Sequence, residues 1–148
     1  MQYAEEPNDK DIKALNIVWF GLLAGQLLFA LIVIFMIYSG AVAVVPGMHE
    51  IFFILALVSA ALGIMMGNRI FKSRLQIIKQ QLSMQEKMNM YKAALITKLA
   101  LFEGPSLFAI ICYFITGDIK LLIPAALIVL LFIMSRPSKE KIMSDIGS

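Results

Sequence analysis

Ala93–Thr116, AALITKLALFEGPSLFAIICYFIT, decides how this chain is read. A helix needs about 20 residues, at 1.5 Å each, to cross the ~30 Å hydrocarbon core of a bilayer. This run meets that length and carries charge only at Lys98, near its start, and at Glu103, near its middle. Three further apolar runs accompany it: Ala14–Tyr38, Ile51–Gly67 and Ile119–Met134. Four such runs in 148 residues cannot all be buried in one small soluble core. In lipid every backbone polar group must be satisfied within its own segment, so the runs are helices. The sequence predicts an all-α integral membrane protein with four transmembrane helices. The short second and fourth runs must stand nearly upright or borrow flanking residues.

Composition agrees. The chain is 60% hydrophobic and 16% charged, with a mean hydropathy of +0.84, outside the range of soluble domains. Its length leaves room for one membrane domain and no separate soluble one. The net charge of +3 is modest, and the basic residues collect beside apolar runs rather than on one face, so no nucleic-acid partner is expected. The single cysteine, Cys112, cannot form an intrachain disulfide. The start, MQYAEEPNDKDIK, is acidic and has no basic n-region, so no removable signal peptide is expected.

Lysine and arginine placement sets the expected orientation. Lys10 and Lys13 precede the first run. Arg69, Lys72, Arg74, Lys79, Lys87 and Lys92 lie between the second and third, and Arg136, Lys139 and Lys141 follow the fourth. Eleven basic residues thus fall on one side, against Lys120 alone on the other. The expectation is N-in and C-in in the plasma (inner) membrane of a prokaryote. Residues 1–13 and 136–148 are then cytoplasmic tails, and 14–135 form a four-helix membrane domain with a cytoplasmic link at 68–91. In that link Phe71, Leu75, Ile78 and Leu82 recur at helical spacing. Helical extensions of the flanking spans, or one amphipathic helix on the anionic leaflet, both satisfy the pattern. The link at Ser39–Glu50 holds Gly40, Pro46 and Gly47 and reads as a turn-rich loop. Residues 13–35 match 92–114 at ten of 23 positions, with Gly25-x-x-Leu28-Phe29-Ala30 repeated as Gly104-x-x-Leu107-Phe108-Ala109. Such a parallel repeat suggests two tandem helical hairpins.

Glu103 is the residue most able to carry chemistry. A charged carboxylate near the bilayer centre costs at least ~2.5–3.5 kcal/mol, so it is expected to be protonated, paired or turned toward a polar cavity. Binding of H⁺ or a cation is the chemistry such a group offers. Pro105 cannot donate a hydrogen bond to the Leu101 carbonyl and Gly104 removes bulk beside the acid, so a helix break is expected there. Ser106 and Gln26, the latter also at mid-depth, are candidate neutral co-ligands; helix-to-helix hydrogen bonding is the alternative role for Gln26. Gly21 and Gly25, with Ser59, Gly63 and Gly67, form two small-residue sets that predict close packing of spans one and two, with oligomer contact as the alternative. Trp19, Tyr38 and Tyr91 read as interface anchors. His49 lies beside no ligand set except Glu50, so neither a metal centre nor a cofactor is expected. The chain also lacks a nucleophile–base pair and a phosphate-cradling loop, and a non-enzymatic role is the reading.

Ala100-Leu101-Phe102-Glu103-Gly104-Pro105-Ser106-Leu107-Phe108 resembles the carboxylate helix of the rotary ATPase proteolipids, the ring-forming c-type subunits. The resemblance implies that Glu103 binds H⁺ or Na⁺, with Ser106 and Gln26 as loose analogues of the assisting groups. The chain departs from that family in lacking its inner-helix glycine repeat and its Arg-Gln-Pro loop, and in the direction of its ends. The combined expectation is a small transporter or ion-conducting homo-oligomer, or part of a larger membrane complex, with the lipid bilayer as its solvent. The alternative is a non-catalytic scaffold or accessory subunit that holds a partner through its cytoplasmic hairpin.

Overall fold

The computed structural model describes residues 7–45, 47–81 and 83–147; residues 1–6, Pro46, Leu82 and Ser148 lie outside the described set. Five helices follow in order: α1 (Asp9–Tyr38), α2 (His49–Lys79), α3 (Met84–Thr116), α4 (Leu122–Met134) and α5 (Lys139–Ile146), with a 3₁₀ turn at Ile119–Leu121 leading into α4. Among the described residues there is no strand. Side-chain caps start three of the helices. Asn8 accepts from the Lys10 amide, Ser83 from Glu86 and Ser138 from Lys141, each meeting an orphan donor of the first turn. Gly117 ends α3 in the left-handed region at φ 68°, its N–H donating to the Tyr113 carbonyl at 2.8 Å.

Three helices, α1, α2 and α3, are long and apolar enough to cross a membrane. The fourth run is so only when α4 is joined to α5, and those two are bent by 83° at their junction. The expected count of four is therefore three, or up to four. The cause is length: Ile119–Met134 is short, and Pro137 stops it before the charged turns of α5. The 68–91 link consists of extensions of α2 and α3 themselves, not of a separate surface helix.

α3 is the hub. Its packing with α2 is the most extensive in the molecule, followed by α4 and α1, whereas α1 makes at most marginal contact with α2. In the apolar window of α3, 44% of residues are buried, against 17% in α1 and 22% in α2. The expected packing of spans one and two is thus replaced by packing of both on α3, and the first two helices are not a packed hairpin. The loop between them explains why. It crosses the far end of α3, with the Val45 amide donating to the Ile115 carbonyl at 2.9 Å and Val44 lying against Gly117. That path leaves α1 and α2 on different flanks of α3.

The start of α1, the end of α2, the start of α3 and all of α5 meet at the other end, which carries most of the basic residues. Lys92 pairs with Asp11, and Asn16 Nδ2 donates to the Pro137 carbonyl at 3.1 Å. Trp19 Nε1 donates to the Phe132 carbonyl at 2.9 Å. α5 lays Ile142 and Ile146 against Phe71, Ile78, Met88 and Tyr91 in one buried cluster. Tyr91, expected as an interface anchor, is instead 1% exposed; its hydroxyl donates to Asp145 Oδ2 at 2.9 Å and its ring meets Phe71 edge-on at 5.7 Å. Burial first, then the Asp145 carboxylate, push the Tyr91 phenol above its usual range. Tyr38, at the end of α1, is 92% exposed.

Candidate functional site

The small residues of α2 place α3. Ala56, Ala60, Gly63 and Gly67 make a buried stripe at spacings of three and four, one helical face. A Cβ on Gly63 would stand 2.5 Å from Pro105 Cγ and 2.6 Å from the Leu101 carbonyl oxygen; one on Gly67 would stand 2.9 Å from the Phe102 ring. Gly63 therefore lets the α2 backbone approach the very carbonyl that Pro105 leaves without its helical donor, a setting for Cα–H···O contact. Gly104 and Pro105, the expected helix break, both lie inside α3. Ser59 stands beside the stripe with its hydroxyl donating to the Ala56 carbonyl at 2.9 Å. Gly21 and Gly25 behave differently: a Cβ on either would meet nothing within 4 Å.

The buried interior divides into two apolar clusters. The one toward the basic end includes Leu23, Ala60, Phe102 and Ile128; the other includes Val33, Ala56, Ala109 and Ala125. Between them on α1 and α3 lie Gln26 and Ser106, 1% and 0% exposed. The register places them at one level. Asp11 pairs with Lys92, a separation of 81, and Gln26 and Ser106 sit in nearly the same relation along the parallel helices α1 and α3. Neither the Gln26 amide nor the Ser106 hydroxyl makes a hydrogen bond to any described group. Leaving a buried polar group unpaired costs roughly 1–3 kcal/mol, so this layer is expensive to keep.

Glu103 stands three residues from Ser106 along α3, about 4.5 Å of rise toward the basic end, and is part-exposed. Among the described residues it has no ion pair and no hydrogen bond. Lys98 does not reach it. The Lys98 ammonium lies over the rings of Phe71 and Phe102, 4.8 and 5.6 Å from their centroids. The three polar candidates are thus gathered in one short section of the α1–α3 region, whereas the glycines of α1 take no part. No group of three or more His, Cys, Asp or Glu stands together among the described residues. Sequence reasoning missed α5, although Pro137-Ser138 followed by Ile142 and Ile146 at i, i+4 is a readable start and face. Comparison with protein families, curated proteins and solved structures finds no match.

Proposed function

We propose that the chain crosses the plasma (inner) membrane of a prokaryote four times, with α4 as a short fourth span and both ends cytoplasmic, and that Glu103 binds a proton or a monovalent cation. The protein is then a non-enzymatic small transporter or ion-conducting oligomer. The observation that carries this reading is the polar layer: two fully buried, unpaired polar side chains, Gln26 and Ser106, beside an unpaired carboxylate in an apolar helix. An acid in a membrane span that has no basic partner is a functional group by default. The amide oxygen of Gln26 and the hydroxyl of Ser106 add neutral oxygen ligands and no second charge, which suits an ion of charge one. The eleven basic residues supply the orientation. The local resemblance to the proteolipid carboxylate helix points the same way.

A hydrophobic carbodiimide tests the site, because it reacts with protonated carboxyls inside the bilayer. It should label the wild type, Na⁺ or low proton concentration should alter the rate, and Glu103→Gln should fold normally and resist labelling. A scaffold role is the second reading, favoured by the α2–α3 hairpin ends that α5 ties together at the basic end. Unlabelled wild type at every pH, with Glu103→Gln unfolding while Glu103→Ala does not, would give that reading the field.

A further inference from the structure

Where α2 runs on past its apolar stretch, one flank carries arginine and no acid. A cleft of about 270 Å³ lies along that flank, lined by Arg69, Ile70, Ser73, Arg74 and Ile77. At 3.6 residues per turn, Ile70, Ser73 and Ile77 share one face and form the floor, and the two arginines stand on either side of it. Both arginines are exposed, and neither has an ion pair or hydrogen bond among the described residues. Among those residues no carboxylate lines the cleft, and every lining residue belongs to α2, so no other helix covers it. Asp145 of α5 lines a separate cleft with Lys72 and Gln76, and there accepts from the Tyr91 hydroxyl. Helical side chains lean toward the helix start, which carries Arg74 back toward the apolar run. An arginine at the edge of such a run, as Arg69 is, snorkels away from it, so the two forks can meet at one level. Two planar guanidinium forks with a hydroxyl between them match a phosphate group.

We infer that this flank of α2 binds the phosphate headgroup of an anionic phospholipid. The site rests on the membrane-spanning part of the proposed function and not on the role of Glu103. Charge, depth and continuity commit it to a lipid. The cleft offers two positive charges and no negative one, which suits an anion. Arg69 stands two residues beyond Gly67, where the apolar run of α2 ends, and so lies at headgroup level. From Ile70 toward the bilayer, Met66, Leu62 and Leu55 follow on the same face at steps of four, four and seven, all three exposed. That strip gives an acyl chain an apolar path directly beneath the arginines. Arg69 and Arg74 hold the phosphate from its two sides, and Ser73 donates its hydroxyl between them.

Native mass spectrometry of the detergent-purified protein, with phosphatidylglycerol and phosphatidylcholine supplied equally, reads the site. The wild type should retain phosphatidylglycerol preferentially. A basic residue near an anionic surface contributes about fivefold in affinity, so Arg69→Gln/Arg74→Gln should weaken retention roughly 25-fold. Lys13→Gln/Lys72→Gln removes as much charge from exposed positions at the same end but outside the cleft, and should change retention far less. Arg69→Lys/Arg74→Lys keeps the charge without the forks and should fall between the wild type and the glutamine pair. If the double glutamine variant fails to fold, Arg69→Gln alone should still lose about fivefold. Equal retention of the two lipids, equal losses in the arginine and lysine pairs, or displacement of the lipid by excess glycerol phosphate would each overturn the proposal. A change of oligomer size in Arg69→Gln/Arg74→Gln would do so too, by giving the flank to a second copy. A protein that stays in solution without detergent would remove the membrane reading beneath it.

Discussion

Alanine placed at Gly63 and at Gly25 should have opposite effects, though both positions are glycines within apolar helices. At Gly63 the new Cβ would lie 2.5 Å from Pro105 Cγ and 2.6 Å from the Leu101 oxygen. Neither atom is the free end of a flexible side chain: one belongs to a ring closed onto the backbone, and the other is backbone. Ordinary contact begins near 3.4 Å, so the two helices must part by about 0.9 Å, and the Gly67–Phe102 contact one turn away would loosen with them. Overpacking of this kind costs about 1–3 kcal/mol. The better helix propensity of alanine returns up to about 1 kcal/mol. Gly63→Ala should therefore lose about 1–2 kcal/mol, while Gly25→Ala, with nothing within 4 Å, should be neutral or gain up to about 1 kcal/mol. The expected gap of about 2 kcal/mol is some thirtyfold in the folded-to-unfolded ratio. Reversible unfolding in mixed micelles, or steric trapping in bicelles, resolves that difference. Adding Pro105→Ala to Gly63→Ala removes the ring clash and restores a donor for Leu101, so the pair should be less damaging than the sum of the singles. Stabilities of Gly63→Ala and Gly25→Ala within about 0.5 kcal/mol of each other would refute the argument that α3, not α1, is the partner of the α2 stripe.

Three more outcomes follow from the described contacts. Gln26→Leu removes an unpaired buried amide and should stabilise the detergent-purified protein by about 1 kcal/mol while slowing any ion-dependent response; a loss of stability would mean the amide is satisfied in the bilayer. Tyr91→Phe breaks the bond to Asp145 and should cost about 1–2 kcal/mol at neutral pH, measured by thermal unfolding with α5 intact and truncated. Because the Tyr91 phenol is raised in the folded state, its contribution is complete below the unfolded value near pH ~10 and falls as pH climbs above it; the alkaline decline should be shallower in Tyr91→Phe. Finally, cysteines at the exposed positions Ser73 and Ser138 should resist impermeant maleimide in intact cells and react after permeabilisation, and labelling from outside would reverse the proposed orientation.

The helices were legible in the sequence, and their partners were not. Hydropathy needs only composition, so Ala14–Tyr38, Ile51–Gly67 and Ala93–Thr116 stand out at once. The helical spacing of Phe71, Leu75 and Ile78 fitted either extensions of the flanking spans or one separate surface helix, and α2 continues to Lys79. Partner choice leaves little trace, because a lipid-facing leucine and a helix-facing one are equally apolar. Gly21 and Gly25 look in sequence like Gly63 and Gly67, yet the first pair faces open space and the second faces α3. Polar exceptions are more informative: Gln26 and Ser106 are conspicuous in apolar runs because each is costly in hydrocarbon, and both are buried between the two apolar clusters. Pro105 lies inside α3, and Gly63 of the neighbouring helix stands against the carbonyl that its ring frees.

The seating of Val44 and Val45 over the end of α3 bears on the order in which the chain can be made. Synthesis delivers α1 and α2 first, but these two have almost no surface for each other. If the helices insert as they are made, α1 and α2 must wait for the chain from Met84 onward to give both a packing partner. A ribosome stalled before α3 would leave two unmatched helices exposed to membrane quality control. Cutting the chain in the link near Gln81 should then yield halves that assemble only by recruiting α3 from the second fragment.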